Sequence, residues 1–321
     1  MNARDPDRSL YRSFLAVLRE KSLSAAARAL NLTQPTLARH IDALEAAIGF
    51  ELFTRSQQGL SPTEGALELS SYAESLEANT AAILRTASGM GQAVKGTVRI
   101  SASEIMGAEI LPPMLAELRL KYPALEFELA LSNVVDNLLR RDADIAVRMV
   151  ESAQEALVVR KLGTVSLGLH AHKDYLARTR TPTGFTDLAK HSLIGFDRET
   201  PAIRGMRSRV PGADALRFSF RADSDIAQLR AIKAGFGIGI CQVGLAKQNP
   251  DLVRLLPEAF ELKLGVWLAM HENLGATPRC RAVFDGFAAS LAEYLSQQEA
   301  SDVPTESTAS GSIVGYSSRI L

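Results

Sequence analysis

The sequence predicts an α/β protein that opens with a small all-helical domain, continues through one long helix and ends in a two-lobed α/β domain. Two short helical patterns joined by a tight turn occupy residues 22–48. An apolar pattern with spacings of four and three residues runs from Thr63 to about Ser88, and this is the period of a helix–helix seam. From Thr97 onward, segments with strand character alternate with helical ones, as in βαβ units. A length of 321 residues accommodates two or three domains.

The first helix is predicted over residues 9–20, with one apolar face that supplies the third wall of the N-terminal domain. Ser24 is predicted to cap the next helix, because its hydroxyl can accept a hydrogen bond from an unpaired backbone N–H. Asn31 tolerates the left-handed conformation in which many helices end. Thr33 is predicted to cap the following helix, whose first turn accepts Pro35 because no intrahelical bond is lost there.

The helix after Thr33 has two distinct faces. Its inward stripe follows a helical spacing and consists of Leu37, Ile41, Leu44 and Ile48. Its outward face carries Thr36, Arg39, His40 and Ala43, with Gln34 at the exposed N-terminal end. This is helix-turn-helix geometry, in which Gln34 can pair bidentately with adenine and Arg39 can contact guanine or a phosphate. The spacing alone fits an ordinary two-helix corner with a solvated polar face equally well.

The segment after this helix favours the helix-turn-helix. The helix ends at Gly49, and a polar stretch with a glycine lies between residues 56 and 61 before Pro62 opens another helix. A small polar hairpin beside a recognition helix is a wing. Arg55 at its base is placed to reach phosphate or the minor groove.

With the wing in place, the chain resembles the LysR-type transcriptional regulators. The resemblance rests on an ordered series of residues: Leu23, Ser24, Ala26 and Ala27, then Thr33-Gln34-Pro35, Leu44-Glu45, Gly49, Leu52-Phe53-Thr54-Arg55, and Leu60-Ser61-Pro62-Thr63-Glu64-Gly65. It implies a sequence-specific regulator of transcription that binds a pseudo-palindromic operator in double-stranded DNA and works with RNA polymerase. The expected DNA contacts are Ser24, Thr33, Gln34, Pro35, Thr36, Arg39, His40 and Arg55.

The long helix is predicted to be a dimerisation element. Its apolar seam consists of Leu69, Ala73, Leu76, Thr80, Ile83 and Ala87. Packing within one domain is the alternative, but the helix is long and one-faced, and the resemblance also implies a homodimer or homotetramer. Two recognition helices in a dimer would read half-sites one turn apart, roughly 34 Å.

The second half is predicted to form a mostly parallel sheet covered by helices. The predicted strands are 97–101, 125–131, 144–148, 165–171, 192–196, 218–222, 238–241 and 264–270, and the predicted helices are 109–122, 134–141, 225–235 and 278–296. The resemblance continues through Asp144–Arg148, Ala234–Ile238 and Thr277–Arg281 to about Gln298. It implies a two-lobed effector domain similar to periplasmic binding proteins, with a small-molecule inducer in the cleft between the lobes.

Polar side chains at the strand ends are the candidates for this effector site, because ligands of open α/β sheets lie outside the carboxyl ends of the strands. They are Ser101, Ser103, Glu104, Ser132, Asn133 and Arg148 in the first lobe, and Thr200 and Asp223 in the second. Ser101 and Ser103 have an alternative role as helix caps, and Arg148 as an ion-pair partner. Glu104 and Asp223 have an alternative role as solvated loop acids. If they line the site, they argue against a multiply anionic effector.

Together these features predict four segments. They are a winged helix-turn-helix domain over 1–62, a linker and dimerisation helix over 63–90, an effector-binding and oligomerisation domain over 91–298, and a disordered tail over 299–321.

The net charge is zero, and residues 1–65 carry 8 Lys and Arg against 7 Asp and Glu. DNA binding must therefore depend on placed side chains rather than on a strong overall field.

The remaining features predict a cytoplasmic protein without a metal or cofactor. Cys241 and Cys280 have no metal-ligand spacing and are expected to be reduced core thiols. His170 and His172 alternate on a strand with only Asp174 close by, so a metal pair is not favoured. The sequence shows no signal peptide and no apolar run long enough to cross a membrane.

The alternative function is a cytoplasmic small-molecule-binding protein or an enzyme that uses the α/β cleft. The glycine-rich stretch Gly235–Gly239 has Ile240 where a dinucleotide fingerprint needs its third glycine, and it follows a helix instead of a strand. No nucleophile elbow, Walker A loop or zinc-protease motif is present. Neither alternative accounts for residues 9–65, so the sequence favours a regulator.

Overall fold

The computed structural model describes residues 6–56, 59–88, 93–133, 143–149, 157–200, 203–205 and 216–301. The chain divides into two compact units. The first comprises Met1–Arg160 and Trp267–Gly286, and the second comprises Lys161–Val266 and Phe287–Leu321. The predicted helix over 134–141 lies outside the described residues, as do residues 302–321 of the predicted tail. The predicted tail boundary is wrong, because residues 299–301 continue the last helix, which ends at Ser301.

The chain opens with three helices around one apolar core: α1 Arg8–Glu20, α2 Leu23–Ala29 and α3 Gln34–Ile48. Of the predicted inward stripe of α3, Leu37, Ile41 and Leu44 are buried, and Ile48 is partly buried against the same core. Side chains that share this core include Phe14, Val17, Ala26, Ala27 and Leu52. The helices pack because each presents its apolar face to the same centre.

The caps of these helices differ from the prediction at one position. Thr33 caps α3 as predicted, accepting from the Thr36 N–H, and Asn31 is left-handed with φ 55°. The prediction that Ser24 caps α2 is wrong. Ser22 caps it, because Ser22 has the extended backbone that a cap residue needs and accepts from the Ala25 N–H, whereas Ser24 already lies inside the helix.

A two-stranded hairpin follows α3 and confirms the wing. β1 Phe53–Ser56 pairs antiparallel with β2 Gly59–Pro62. The next helix, α4 Glu64–Ser88, begins one residue after the predicted Thr63, whose hydroxyl accepts from the Ala66 N–H at the start of the helix.

The predicted seam of α4 is buried at one end and exposed at the other. Ala73 of the seam lies in the N-terminal core, and Leu69 of the seam packs against that core. Leu76 is 40% exposed and Ile83 is 67% exposed. Tyr72, Leu67 and Leu84 add to the exposed apolar surface of the same helix.

The first unit also contains an α/β sheet. β3 Gly96–Ala102 runs parallel to β4 Leu125–Leu131 and to β5 Ile145–Arg148. A π-helical turn, Met106–Ile110, leads into α5 Leu111–Lys121, so the helical segment begins three residues before the predicted Glu109, whereas α5 itself begins two residues after it. The segment Trp267–Met270 pairs antiparallel with β5.

The second unit is built on a long strand and short helices. β6 Leu157–His172 pairs antiparallel with two strands that follow it in the chain. The second unit continues in chain order with α6 Lys173–Arg178, a 3₁₀ turn Phe185–Lys190, β7 Leu193–Gly195, β8 Phe218–Arg221, α7 Asp225–Lys233, β9 Gly239–Gln242, α8 Val243–Lys247, β10 Leu252–Leu255 and the first half of β11 Leu262–His271. The rest of β11, a 3₁₀ turn Glu272–Leu274 and the start of α9 Pro278–Ser301 belong to the first unit, and α9 ends in the second. The predicted inward residues of α9, Val283, Phe287, Leu291 and Leu295, are all buried.

The prediction of a mostly parallel sheet is wrong. Parallel pairing holds for β3 with β4 and β5, and for β7 with β8. β6 pairs antiparallel with both β9 and β10. The apolar pattern of a strand does not encode its direction, so the βαβ rhythm could not reveal these antiparallel neighbours.

The cysteines and histidines behave as core and surface residues. Cys241 and Cys280 are buried free thiols, and burial raises the pKa of each to about 12. His170 is buried with its Nδ1 2.9 Å from the Gly168 carbonyl oxygen, and His172 caps α6. Within the described residues, no group of three or more His, Cys, Asp or Glu side chains could hold a metal ion. No helix in the described part of the chain is long and apolar enough to span a membrane.

Candidate nucleic-acid interface and ligand site

The N-terminal end of α3 presents a small polar surface. Gln34, Pro35 and Arg39 are exposed, and Thr36 is half-buried. The hydroxyls of Thr33 and Thr36 lie 2.8 Å apart, so both are held at the first turn. The partial positive charge of a helix N-terminus favours phosphate here.

Ser24 joins this surface through a contact between two helices. Its hydroxyl donates to the Oε1 atom of Gln34 across 2.9 Å. Ser24 therefore lies beside the start of α3, as expected for a residue of the interface, although it does not cap α2.

His40 differs from the other predicted contacts because it has a partner inside the domain. Its Nδ1 lies 2.8 Å from the hydroxyl of Ser13, which is fully buried on α1. One nitrogen of the ring is therefore engaged in joining α3 to α1.

The wing is attached to α3 by Glu45, a role that the sequence did not reveal. The Glu45 Oε1 atom accepts from the backbone N–H of Leu52 at 2.6 Å and of Phe53 at 3.3 Å. On the other side, the Leu60 N–H donates to the Lys21 carbonyl at 3.3 Å. Arg55 is placed in β1 opposite Leu60, and its side chain lies outside the described atoms.

The strand ends of the first unit converge on Arg148. The Arg148 Nη2 donates to the Ser101 hydroxyl at 2.6 Å, and its Nη1 donates to the Ser132 carbonyl at 3.0 Å. Ser101 thus receives a bond from Arg148 instead of capping a helix. These contacts bring together the carboxyl ends of β3, β4 and β5, as the sheet topology predicts.

Arg148 is a buried cation. Its residue is only 4% exposed, and burial lowers the pKa of its guanidinium. The alternative of an ion pair finds no support, because no carboxylate within the described ranges lies at ion-pair distance from it. Its Nε is buried and has no hydrogen-bond partner there. A buried charge is costly unless it is compensated, so an anion fits this position.

The other predicted residues of the first unit surround the same strand ends. The Asn133 Oδ1 accepts from the Glu104 N–H at 3.0 Å, which ties the end of β4 to the helix after β3. The Ser103 N–H donates to the Val147 carbonyl at 3.3 Å. Six of the eight predicted effector residues therefore cluster in one place.

The remaining two lie in the second unit. Asp223 accepts from the backbone N–H of Asp197 at 3.1 Å and of Arg198 at 2.8 Å, and it pairs with the Arg198 side chain at 3.3 Å. Thr200 accepts from the Ile203 N–H at 3.3 Å. Asp223 thus organises the loop after β7.

The chain matches known proteins in both halves. Residues 9–67 match the family described as "Bacterial regulatory helix-turn-helix protein, lysR family", and residues 91–292 match "LysR substrate binding domain". An uncharacterised HTH-type transcriptional regulator of Haemophilus influenzae is 23% identical over 258 residues, which cover 79% of this chain and 90% of that protein.

Solved structures of similar fold cover nearly the whole chain. The structure of CrgA, a LysR-type transcriptional regulator from Neisseria meningitidis, has a TM-score of 0.56 at 23% identity and covers 88% of this chain and 98% of that one. Full-length CbnR complexed with its target DNA has a TM-score of 0.60 at 17% identity, covering 91% of this chain and 99% of that one. At these identities the likeness establishes the fold.

Proposed function

The chain belongs to the LysR-type transcriptional regulators, and we propose that it reads DNA with the N-terminal end of α3 and responds to a small anion held at Arg148. The helix-turn-helix binds DNA and the second half binds an effector, as in the family.

Exposed polar groups on one side of α3 support the DNA interface. Gln34 and Arg39 reach outward while Leu37 and Leu44 hold the helix on the core. We assign base contacts to Gln34 and Arg39, and phosphate contacts to Thr33, Thr36 and Arg55. Because residues 1–65 are nearly neutral, the loss of one positively charged side chain at the interface should lower the affinity for DNA strongly.

The buried guanidinium of Arg148 is the observation that carries the effector proposal. Its two Nη atoms are oriented by Ser101 and Ser132, and its Nε is buried with no partner in the described part of the chain. A carboxylate is the planar anion that suits a guanidinium best. Glu104 nearby disfavours a second negative charge, so a monocarboxylate is the class of effector that fits.

A second copy of the chain is the partner that we propose for α4. Leu76 and Ile83 of the predicted seam stay exposed, and the helix is long enough to pair with its equivalent. A dimer would place two recognition helices on a pseudo-palindromic operator, and a tetramer would join two such dimers.

The effector would act by binding one arrangement of the protein better than another, which changes how the paired helices meet DNA. We propose that the chain acts by binding and not by catalysis, in the cytoplasm, where it meets DNA and RNA polymerase. A packing role accounts for the glycine-rich stretch without a bound dinucleotide, because Gly237 packs tightly against the Ser192 backbone.

The DNA interface is tested by binding of the full chain to its own upstream intergenic DNA and to a scrambled duplex at several salt concentrations. Arg39→Ala should abolish the difference between the two duplexes. Arg180→Ala removes an exposed arginine from the second unit and serves as the matched control. Equal binding to both duplexes by the unmodified protein would refute the proposal.

The effector site is tested by thermal unfolding with acetate, pyruvate and benzoate, and with the corresponding amides. A monocarboxylate should raise the melting temperature of the unmodified protein and of Arg160→Gln, but not that of Arg148→Gln. Amides that stabilise equally well, or a full response in Arg148→Gln, would exclude an anion at this position.

A further inference from the structure

The amide of Gln34 is held in one orientation by a residue of the preceding helix. Ser24 donates to Oε1 and not to Nε2, across 2.9 Å. The two ends of an amide differ chemically, because the oxygen accepts hydrogen bonds and the NH₂ group donates two. With Oε1 directed toward Ser24, Nε2 is directed away from it.

The backbone on both sides of this contact is fixed. Ala26 and Ala27 of α2 are buried beneath α3, and the Leu32 N–H donates to the Ala27 carbonyl at 2.9 Å. Thr33 caps α3, so Gln34 begins the helix with a defined backbone. A serine hydroxyl is short, and this rigid turn is what keeps it within reach of Gln34.

The orientation decides which base edge suits Gln34. Pairing with adenine needs the amide to accept from N6 and donate to N7, whereas guanine offers two acceptors, N7 and O6. The amide oxygen keeps a second lone pair, but an adenine that uses it must approach beside the Ser24 hydroxyl, whereas the NH₂ group stays open to the two acceptors of guanine. We propose that Ser24 is a positioning residue that makes Gln34 select guanine over adenine in the operator. The inference rests on the proposed DNA interface, and it replaces the pairing with adenine expected from a freely rotating Gln34.

A purely structural role for the same bond makes a different prediction. If Ser24 only joined α2 to α3, its loss would lower stability and weaken binding to every sequence alike. If Ser24 orients Gln34, its loss should change the preferred base. Base preference, measured apart from affinity, therefore distinguishes the two.

The experiment is selection of duplexes from a randomised pool by the full-length protein, followed by sequencing. The unmodified protein should enrich a guanine at a position whose preference disappears in Gln34→Ala. In Ser24→Ala the guanine-to-adenine ratio at that position should fall at least about 5-fold, the lower end for one well-formed base contact. Ser24→Thr keeps a hydroxyl and should keep the preference. Ser296→Ala removes an exposed hydroxyl on α9 and should select as the unmodified protein does.

A second measurement needs no variant. Replacing the selected guanine with 7-deazaguanine removes its N7 acceptor and should weaken binding by the unmodified protein at least about 5-fold. Unchanged binding to this duplex would overturn the inference. An adenine at the Gln34-dependent position, no position dependent on Gln34, or an unchanged ratio in Ser24→Ala would overturn it as well. If the unmodified protein enriches no motif at all, the proposed DNA interface fails, and the inference fails with it.

Discussion

Arg85 in the last turn of α4 and Asp144 immediately before β5 form a buried ion pair, with Arg85 Nε 3.2 Å from Asp144 Oδ2. The same carboxylate accepts from the Arg99 N–H at 2.9 Å. The end of the long helix is therefore fixed to the sheet whose opposite strand end carries Arg148. Both residues are at least nine-tenths buried, so water screens the pair little.

Removing one partner of this pair should be costly. Arg85→Ala leaves the Asp144 carboxylate buried without its cation, and we expect a loss of about 3–5 kcal/mol in the free energy of unfolding. Urea denaturation of the full chain measures it. The double variant Arg85→Met with Asp144→Asn should lose less than Arg85→Ala, because no uncompensated charge remains. A loss below about 1 kcal/mol in the free energy of unfolding of Arg85→Ala would show that the pair does not hold α4 on the sheet.

Glu45 should be needed for the position of the wing. Glu45→Ala leaves the Leu52 and Phe53 N–H groups without their acceptor, and an unsatisfied buried donor costs about 1–3 kcal/mol. We expect lower stability and weaker DNA binding, measured by urea denaturation and fluorescence anisotropy. Glu51→Ala, an exposed carboxylate three residues after Ile48, is the control. Similar effects of the two substitutions would contradict the role of Glu45.

Gly237 should not tolerate a side chain. A Cβ atom there would overlap the Ser192 carbonyl oxygen, so the backbone of one segment must move. Gly237→Ala should lower the free energy of unfolding by about 1–3 kcal/mol, as overpacking does. Gly184→Ala has open space around the new Cβ and is the matched control. Unfolding of both alanine variants at the same urea concentration would contradict a tight approach of the two backbones at Gly237.

His170 should make the second unit sensitive to acid. Burial lowers its pKa from 6.5 to about 4, with the nearby Arg254 charge acting in the same direction and the bond to Gly168 opposing it. The unfolded chain thus takes up this proton first as pH falls, so stability is lost between about pH 6.5 and pH 4, by at most about 1.4 kcal/mol per pH unit. His170→Gln should flatten the dependence in a pH series of urea denaturation curves. An equally steep curve for the variant would assign the effect to other groups.

The parts of the fold that follow from local spacing could be predicted from sequence. The stripe from Leu37 to Leu44 defines α3, and Thr33 with Pro35 marks its start, because these signals act within one turn of helix. Ser22 and Ser24 carry the same side chain two residues apart, so the sequence could not tell which one caps α2.

Contacts between distant segments could not be predicted. The strand ends were enough to name Ser101, Ser132 and Arg148 as candidates. The hydrogen bonds from Arg148 to the other two residues depend on the order of the strands in the sheet, which the sequence does not give. Arg85 and Asp144 lie on elements far apart in the chain, and no periodic pattern links them. The antiparallel pairing of β6 with β9 and β10 could not be predicted for the same reason.

We propose that a dimer of this chain reads two operator half-sites, and footprinting of the full-length protein on its own upstream intergenic DNA tests this most directly. We expect two protected half-sites on one face of the duplex, about 34 Å or a multiple of it apart, at a salt concentration where scrambled DNA is unprotected. Ile83→Glu, which puts a charge on the exposed seam of α4, should reduce protection of both together. Protection of a single half-site, or equal protection of scrambled DNA, would contradict the claim.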